Sequence, residues 1–190
     1  MSGLIPTLVK RLALRATRVF YEIARIGPPF PDGPLLVAAN HPNSLMDALV
    51  LFTASGRGVR PLAKAPLFDG ALRGPILRGL GGLPVHRRQD DPAQMHRNEA
   101  TFDAAVDALR AGDAVLIFPE GMSHSEPGVI PLRTGAARIA LRAEERADWA
   151  LGLRILPVGL TYERKTLFRG RVTVAVGETL EAARWRDAQA

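Results

Sequence analysis

The chain contains no cysteine. That excludes disulfides, thiolate–zinc sites and a cysteine nucleophile, and it leaves the redox compartment open. Aromatic residues are few, at 6%. Trp149 and Trp185 lie outside the basic segments and no recognition motif is present, which argues against nucleic acid as a partner. Lysine is nearly missing: Lys10, Lys64 and Lys165 are the only ones, so arginine carries almost all the positive charge. No apolar run reaches the ~18 residues that a spanning helix needs. Nor does the N-terminus have the unbroken apolar core of a secretion signal, because Lys10, Arg11, Arg15 and Arg18 interrupt it. There is no G-x-x-x-x-G-K phosphate loop, and "GLGGLPV" is not a dinucleotide fingerprint. His41, His86, His96 and His124 with Asp47 or Glu120 could be sorted into a zinc site, but H-E-x-x-H or comparable spacing is missing. The expectation is no metal and no cofactor. "GMSHS" lacks the second glycine of a nucleophile elbow, which argues against a serine nucleophile.

What remains is an ordinary globular composition, with 190 residues, 47% of them hydrophobic and 23% charged. Such a length suits one domain with a substantial core. The net charge of +6 and the pI near 10.6 favour anionic partners such as phosphate groups or anionic lipid surfaces. Arginine in particular suits bidentate phosphate contacts.

Periodicity divides the chain. Residues 4–20 read as a basic amphipathic helix, with Ile5, Leu8, Val9, Leu12, Ala16, Val19 and Phe20 recurring at helical spacing. Its apolar stripe suits either the domain core or a lipid interface with the arginines among headgroups. "YEIARI" follows as a strand, so residues 1–26 form a helix and lead-in strand. A proline-rich link separates them from an α/β body over 34–190. There "LLVAA", "VRPLAK", "LPVH", "AVLIF", "RILPVGLTY" and "RVTVAVGE" read as strands. "SLMDALVLFTAS", residues 92–111 and "TGAARIALRAEERA" read as helices, the second with Asp91 as cap, Pro92 in its first turn and Gly112 after its end. "PLFDGALRGPILRGLGG" is broken by Gly and Pro. Alternation of this kind predicts an α/β fold with a mixed, mostly parallel central sheet flanked by helices.

Ligands in open α/β sheets gather beyond the carboxyl ends of strands, and the unusual polar residues fall there. His41 follows "LLVAA", "HRR" (His86 to Arg88) follows "LPV", and "PEGMSHSEP" follows "AVLIF". His41 can take a proton near neutral pH, and Asp47 could fix its tautomer and stabilise the imidazolium. Six residues along one helix would place the two about 240° apart, so they meet only if His41 sits in the turn and Asp47 in the helix's first turn. The alternative is that Ser44-x-x-Asp47 is a capping box beside a merely buried histidine. Glu120 stands at the mouth of its strand, and Gly121 permits close approach of backbone to a ligand. Arg87, Arg88, Arg133 and Lys64 could clamp a phosphate, with the helix start near Thr134 and Gly135 adding amide donors, or could be solvated surface charge.

Taken in order, the segments resemble the glycerol-phosphate and lysophosphatidate acyltransferase family. "NHPNSLMDALVL" is similar to its histidine–aspartate block and "GGLPVHRR" to its glycine-rich block ending in arginine. "IFPEGMSHSEPGVIPLRTGAARIAL" is similar to its Phe-Pro-Glu-Gly block, and "ILPVGLTY" to its proline-containing strand. The resemblance implies His41 as general base with Asp47 orienting it. It implies Arg87, Glu120 and Gly121 as acceptor-binding, with Lys64 and Arg133 as further phosphate contacts and Pro157 on the acyl side. It implies direct attack of an acceptor hydroxyl on an acyl thioester, the donor being acyl-CoA or an acyl-carrier protein. The acceptor would be of the glycerol-3-phosphate or lysophosphatidate type, and the enzyme would sit peripherally on the inner, cytoplasmic face of a membrane. The alternatives are acylation of another acceptor such as a lyso-ornithine lipid, or a non-catalytic binder of anionic lipid. Two departures are visible. Five residues, Pro42 to Met46, separate His41 from Asp47 where the family usually has four, and Met122-Ser123-His124 replaces a Thr-Arg-Ser run.

Overall fold

Leu35, Leu36 and Val37 are consecutive and all fully enclosed. A strand buried on both faces belongs in the middle of a sheet covered by helices on each side. The computed structural model, which describes residues 4–85, 95–125, 128 and 130–189, has that architecture. In chain order the strands are β1 (Tyr21–Ile26), β2 (Leu35–Ala39), β3 (Val59–Lys64), β4 (Leu83–Val85), β5 (Ala114–Ile117), β6 (Arg154–Tyr162), β7 (Gly170–Val176) and β8 (Leu180–Glu181). The helices are α1 (Leu4–Phe20), α2 (Leu45–Ser55), α3 (Arg73–Gly79), α4 (Met95–Arg110) and α5 (Gly135–Glu145). The strands form one sheet in the order β1-β7-β6-β2-β5-β3-β4, with β8 paired to β6. Only β6–β7 and β6–β8 are antiparallel pairs among the described residues, so the sheet is mixed and mostly parallel, as the strand–helix alternation predicts.

The two faces are covered by different helices. Leu35, Val37 and Ala39 join Ala48, Val50 and Leu51 of α2 in one core cluster. Leu36 and Val115 join Ala105, Val106 and Leu109 of α4 and Ile139, Ala140 and Ala143 of α5 in another. Adjacent parallel strands β2 and β5 therefore send their onward connections to opposite faces. A crevice opens between their carboxyl ends at such a switch point.

Helix α1 has one face on the domain core and another exposed. Val9, Ala13 and Leu14 pack against Leu49 of α2, Ile76 of α3 and Leu80 just after it. Leu8, Leu12 and Val19, on the other side, are more than half exposed. The exposed Arg11, Arg15 and Arg18 accompany that second stripe. Among the described residues no helix is long and apolar enough to cross a membrane.

Two local differences from the sequence expectation have plain causes. The Gly/Pro-broken segment contains α3, because Pro75 falls in its first turn, where no intrahelical N–H bond is required. Helix α4 is described from Met95, and its expected start, with Asp91 and Pro92, lies outside the described residues.

Candidate active site

Strand β2 ends at Ala39, but Asn40 extends its pairing with a side chain. The Asn40 amide oxygen accepts the Leu160 N–H at 2.6 Å, and its amide nitrogen donates to the Leu160 carbonyl at 2.9 Å. The ladder to β6 thus continues one step past the strand and delivers His41 at the crevice mouth. Stacking on Phe118, with ring centroids 3.7 Å apart and planes 13° from parallel, fixes the imidazole plane.

His41 sits in the turn and Asp47 in the first turn of α2, as their contact requires. The His41 Nδ1 lies 2.9 Å from Asp47 Oδ2. The same Oδ2 accepts the Asn43 N–H at 2.7 Å, and Oδ1 accepts the Tyr162 hydroxyl at 2.8 Å. The Asp47 side chain is 0% exposed, and a carboxylate so enclosed requires this full set of donors. An acceptor at Oδ2 places the His41 proton on Nδ1 and leaves Nε2 with its lone pair for a ligand.

The capping-box reading of Ser44-x-x-Asp47 is not realised, since neither of its two bonds forms. Ser44 precedes α2 with φ 48° and makes no side-chain cap bond. That φ is unusual for a residue with a side chain. Its N–H instead reaches the Ser123 hydroxyl at 3.1 Å. Asp47, at the third helical position, accepts the N–H of Asn43, the residue before the N-cap, and so ties down the turn that enters the helix without closing a capping box. One carboxylate oxygen therefore both pins the turn before the helix and holds the histidine.

A network from distant parts of the chain backs this pair. Burial, reinforced by the Asp47 charge and hydrogen bond, pushes the Tyr162 phenol far above the ordinary tyrosine range. It stays a neutral donor to Asp47. Tyr21 is also raised, first by burial. Its hydroxyl accepts from the Asn43 side chain at 2.9 Å and donates to the Lys165 carbonyl. Lys165 Nζ in turn donates to the Pro42 carbonyl at 3.2 Å and to Ser125 at 2.6 Å, tying the His41 turn to the loop after β5.

His41 opens onto a cavity of about 610 Å³. Its walls are largely apolar, including Ala48, Leu62, Leu67, Leu77, Val85 and Ile117. Lys64, Arg73 and Arg133 also line it, and among the described residues no Asp or Glu does. Such a space suits an anionic head joined to a hydrocarbon chain.

Of the residues singled out in the sequence, His41, Lys64, Gly121 and Arg133 line this one cavity, and Asp47 stands directly behind His41. Gly121 has φ +75°, and a Cβ there would meet Arg133 Cδ and Nε at 2.6 Å, so the arginine stem passes over the glycine. The Glu120 carboxylate is 0% exposed and turns into the protein, where Oε2 accepts the His41 N–H at 3.0 Å and meets His124 Nε2 at 2.8 Å. Arg87 lies outside the described residues. Among the described residues no three His, Asp or Glu side chains gather as a metal-binding set. Sequence reasoning missed Asn40, Arg73, Tyr162 and Lys165 as members of the site. Tyr162 does close the segment "ILPVGLTY", and its position at the carboxyl end of a parallel strand was the available signal.

The family model described as Acyltransferase matches residues 18–161. The chain belongs to the acyltransferase family. Among relatives, glycerol-3-phosphate O-acyltransferase 2 of Saccharomyces cerevisiae is 37% identical over 83 residues, covering 44% of this chain and 11% of that protein. Glycerol-3-phosphate O-acyltransferase 1 of the same yeast is 33% identical over 80 residues, covering 42% and 10%. The matched part spans only about a tenth of the length of these relatives. The crystal structure of the 1-acyl-sn-glycerophosphate (LPA) acyltransferase PlsC from Thermotoga maritima superposes with a TM-score of 0.68 at 21% identity. It covers 93% of this chain and 69% of that one, and establishes a shared fold. The segments quoted above run from Asn40 to Tyr162, and all but that final tyrosine fall within the span assigned to the acyltransferase family.

Proposed function

We propose that this chain transfers an acyl group from an acyl thioester to a hydroxyl of a glycerol-3-phosphate or lysophosphatidate-type acceptor. The observation that carries the reading is His41, bonded to Asp47 at 2.9 Å, opening onto an apolar cavity that is also lined by Lys64, Arg73 and Arg133. The acceptor hydroxyl attacks the thioester carbonyl carbon while His41 Nε2 takes its proton. Asp47 stabilises the imidazolium that forms. The tetrahedral intermediate then collapses, the C–S bond breaks, and the imidazolium returns its proton to the departing thiolate. The products are an ester and a free thiol, and the histidine ends neutral. Direct transfer of this kind requires no acyl-enzyme. The acceptor's phosphate pairs with the cavity cations, and the acyl chain lies along the apolar wall. The names of the yeast relatives and of the Thermotoga neighbour support a glycerol-phosphate-type acceptor.

Lipid-borne substrates favour a site at a bilayer surface. The exposed Leu8, Leu12 and Val19 stripe beside Arg11, Arg15 and Arg18 supports docking of α1 on an anionic leaflet.

Thiol release from palmitoyl-CoA and from palmitoyl-acyl-carrier protein, measured across a panel of glycerol-3-phosphate, lysophosphatidate and a lyso-ornithine lipid, tests the reading. Release should depend on a phosphate-bearing acceptor and vanish in His41→Ala. Acceptor-independent release, or wild-type turnover by His41→Ala, would overturn the assignment of the base. Turnover with the lyso-ornithine lipid alone would reassign the acceptor.

A further inference from the structure

A second histidine–carboxylate pair stands behind His41. His124 Nε2 lies 2.8 Å from Glu120 Oε2, and that same oxygen accepts the His41 N–H at 3.0 Å. The His124 N–H donates to the His41 carbonyl at 3.1 Å. The circuit is closed: both main-chain polar groups of His41 are held by residues from the loop after β5. The Glu120 and His124 side chains are 0% and 12% exposed.

This pair is poorly designed for stability alone. Glu120 Oε1 and His124 Nδ1 are both enclosed and have no hydrogen-bond partner among the described residues. Each buried orphan carries an uncompensated desolvation penalty. Well-packed apolar side chains in place of a buried ionisable pair are often as stable or more so. What apolar side chains could not do is hold the His41 amide. The Asp47 and Phe118 contacts orient the imidazole ring, while the Glu120 contact fixes the main chain that carries it.

We infer that His124 is a positioning residue for His41, acting through Glu120. This rests on the reading of His41 as the general base. The His124 Nε2–H holds Glu120 Oε2 at the His41 amide. Without that donor the enclosed carboxylate keeps only the His41 N–H, and it rotates to find other donors for its freed oxygen. The turn from Asn40 to Ser44 then loses one of its three direct hydrogen bonds to the loop after β5. A displacement of about 1 Å at a reacting group lowers rates on the order of a hundredfold. His124 follows the Pro119–Gly121 turn by three residues, in the run Met122-Ser123-His124.

The test uses the full chain, palmitoyl-CoA and glycerol-3-phosphate or whichever acceptor the panel selects. His124→Leu keeps the bulk and removes the donor. His124→Gln returns an N–H near the position of Nε2. Removal of the donor should lower kcat by about tenfold or more while KM for both substrates stays within about threefold, and the glutamine variant should recover most of the loss. Thermal unfolding of His124→Leu should come at a lower temperature than wild type, because the enclosed Glu120 carboxylate loses a donor, so both variants are assayed well below their Tm. Wild-type kcat in His124→Leu overturns the inference. So does a loss carried by KM, which would make His124 a ligand contact, and so does a glutamine variant as impaired as the leucine one. An inactive His41→Ala beside an unimpaired His124→Leu sinks only this inference. A fully active His41→Ala sinks the base assignment itself.

Discussion

Arg133 lies so close over Gly121 that a methyl group on residue 121 would stand 2.6 Å from both Cδ and Nε of the arginine. At φ +75° the backbone also resists any side chain. Gly121→Ala should therefore push the guanidinium out of the cavity while leaving His41 in place. The expected signature is a raised KM for the phosphate-bearing acceptor with a smaller change in kcat, the same signature as Arg133→Ala. The double variant should be little worse than Arg133→Ala alone, because both changes remove one contact. Additive losses would mean that the two residues act separately.

Asp47→Asn keeps the shape of the side chain. Its oxygen can still accept from His41 and Asn43, with the amide nitrogen facing the Tyr162 oxygen, so the variant should fold. It lacks the charge that stabilises the imidazolium, and kcat should fall on the order of 10²–10⁴. Steady-state thiol release and a circular dichroism melt check the two halves. Near-wild-type kcat would exclude the carboxylate from the mechanism.

Tyr162 gives a stability profile with a definite sign. Its phenol is raised above the ordinary value of 10.0, chiefly by burial and then by Asp47. The folded protein keeps it protonated where an unfolded chain would ionise. Its contribution is therefore fully present below about pH 10 and lost as pH rises above that. Wild type should lose Tm steeply through the alkaline range, and Tyr162→Phe should lose it less steeply. Tyr21, also raised, leaves a residual slope in the variant. At pH 8 the variant should be less stable by roughly 1–3 kcal/mol, because a hydrogen bond to a buried carboxylate is gone. Parallel melts at pH 8 to 12 decide it, and identical alkaline slopes would refute it.

The faces of α1 should respond differently. Leu8→Gln, Leu12→Gln and Val19→Gln together should abolish sedimentation with phosphatidylglycerol vesicles and leave Tm unchanged, since these side chains touch solvent. Leu14→Ala should lower Tm, since Leu14 packs on the α2–α3 cluster. Undiminished vesicle binding by the triple variant would remove α1 from the membrane-docking proposal.

Much of this architecture was legible in the sequence because its signals are local. Unbroken apolar runs such as "LLVAA" mark strands buried on both faces, and the helix-period segments lie where expected. The crevice was legible too, since the polar residues cluster just after strands. What periodicity could not give was pairing across the sheet. Tyr162 meets Asp47 over 115 positions of chain, and Lys165 meets Pro42 over 123. These contacts follow from the β2–β6 register, which no local pattern encodes. The amphipathic pattern of α1 likewise merged two stripes that the packing separates. Glu120 read as a residue at the mouth of the site, yet its carboxylate turns inward, because the Pro119–Gly121 turn sends the side chain beneath His41.

Asp47 fastens the turn leading into a helix as well as gripping an imidazole. A descendant of this scaffold that abandoned chemistry would still need a hydrogen-bond acceptor at that place to hold the chain as it enters α2. Inheritance of the aspartate is thus a weak badge of a working enzyme, and the imidazole beside it, which the helix can do without, is the one whose disappearance would tell.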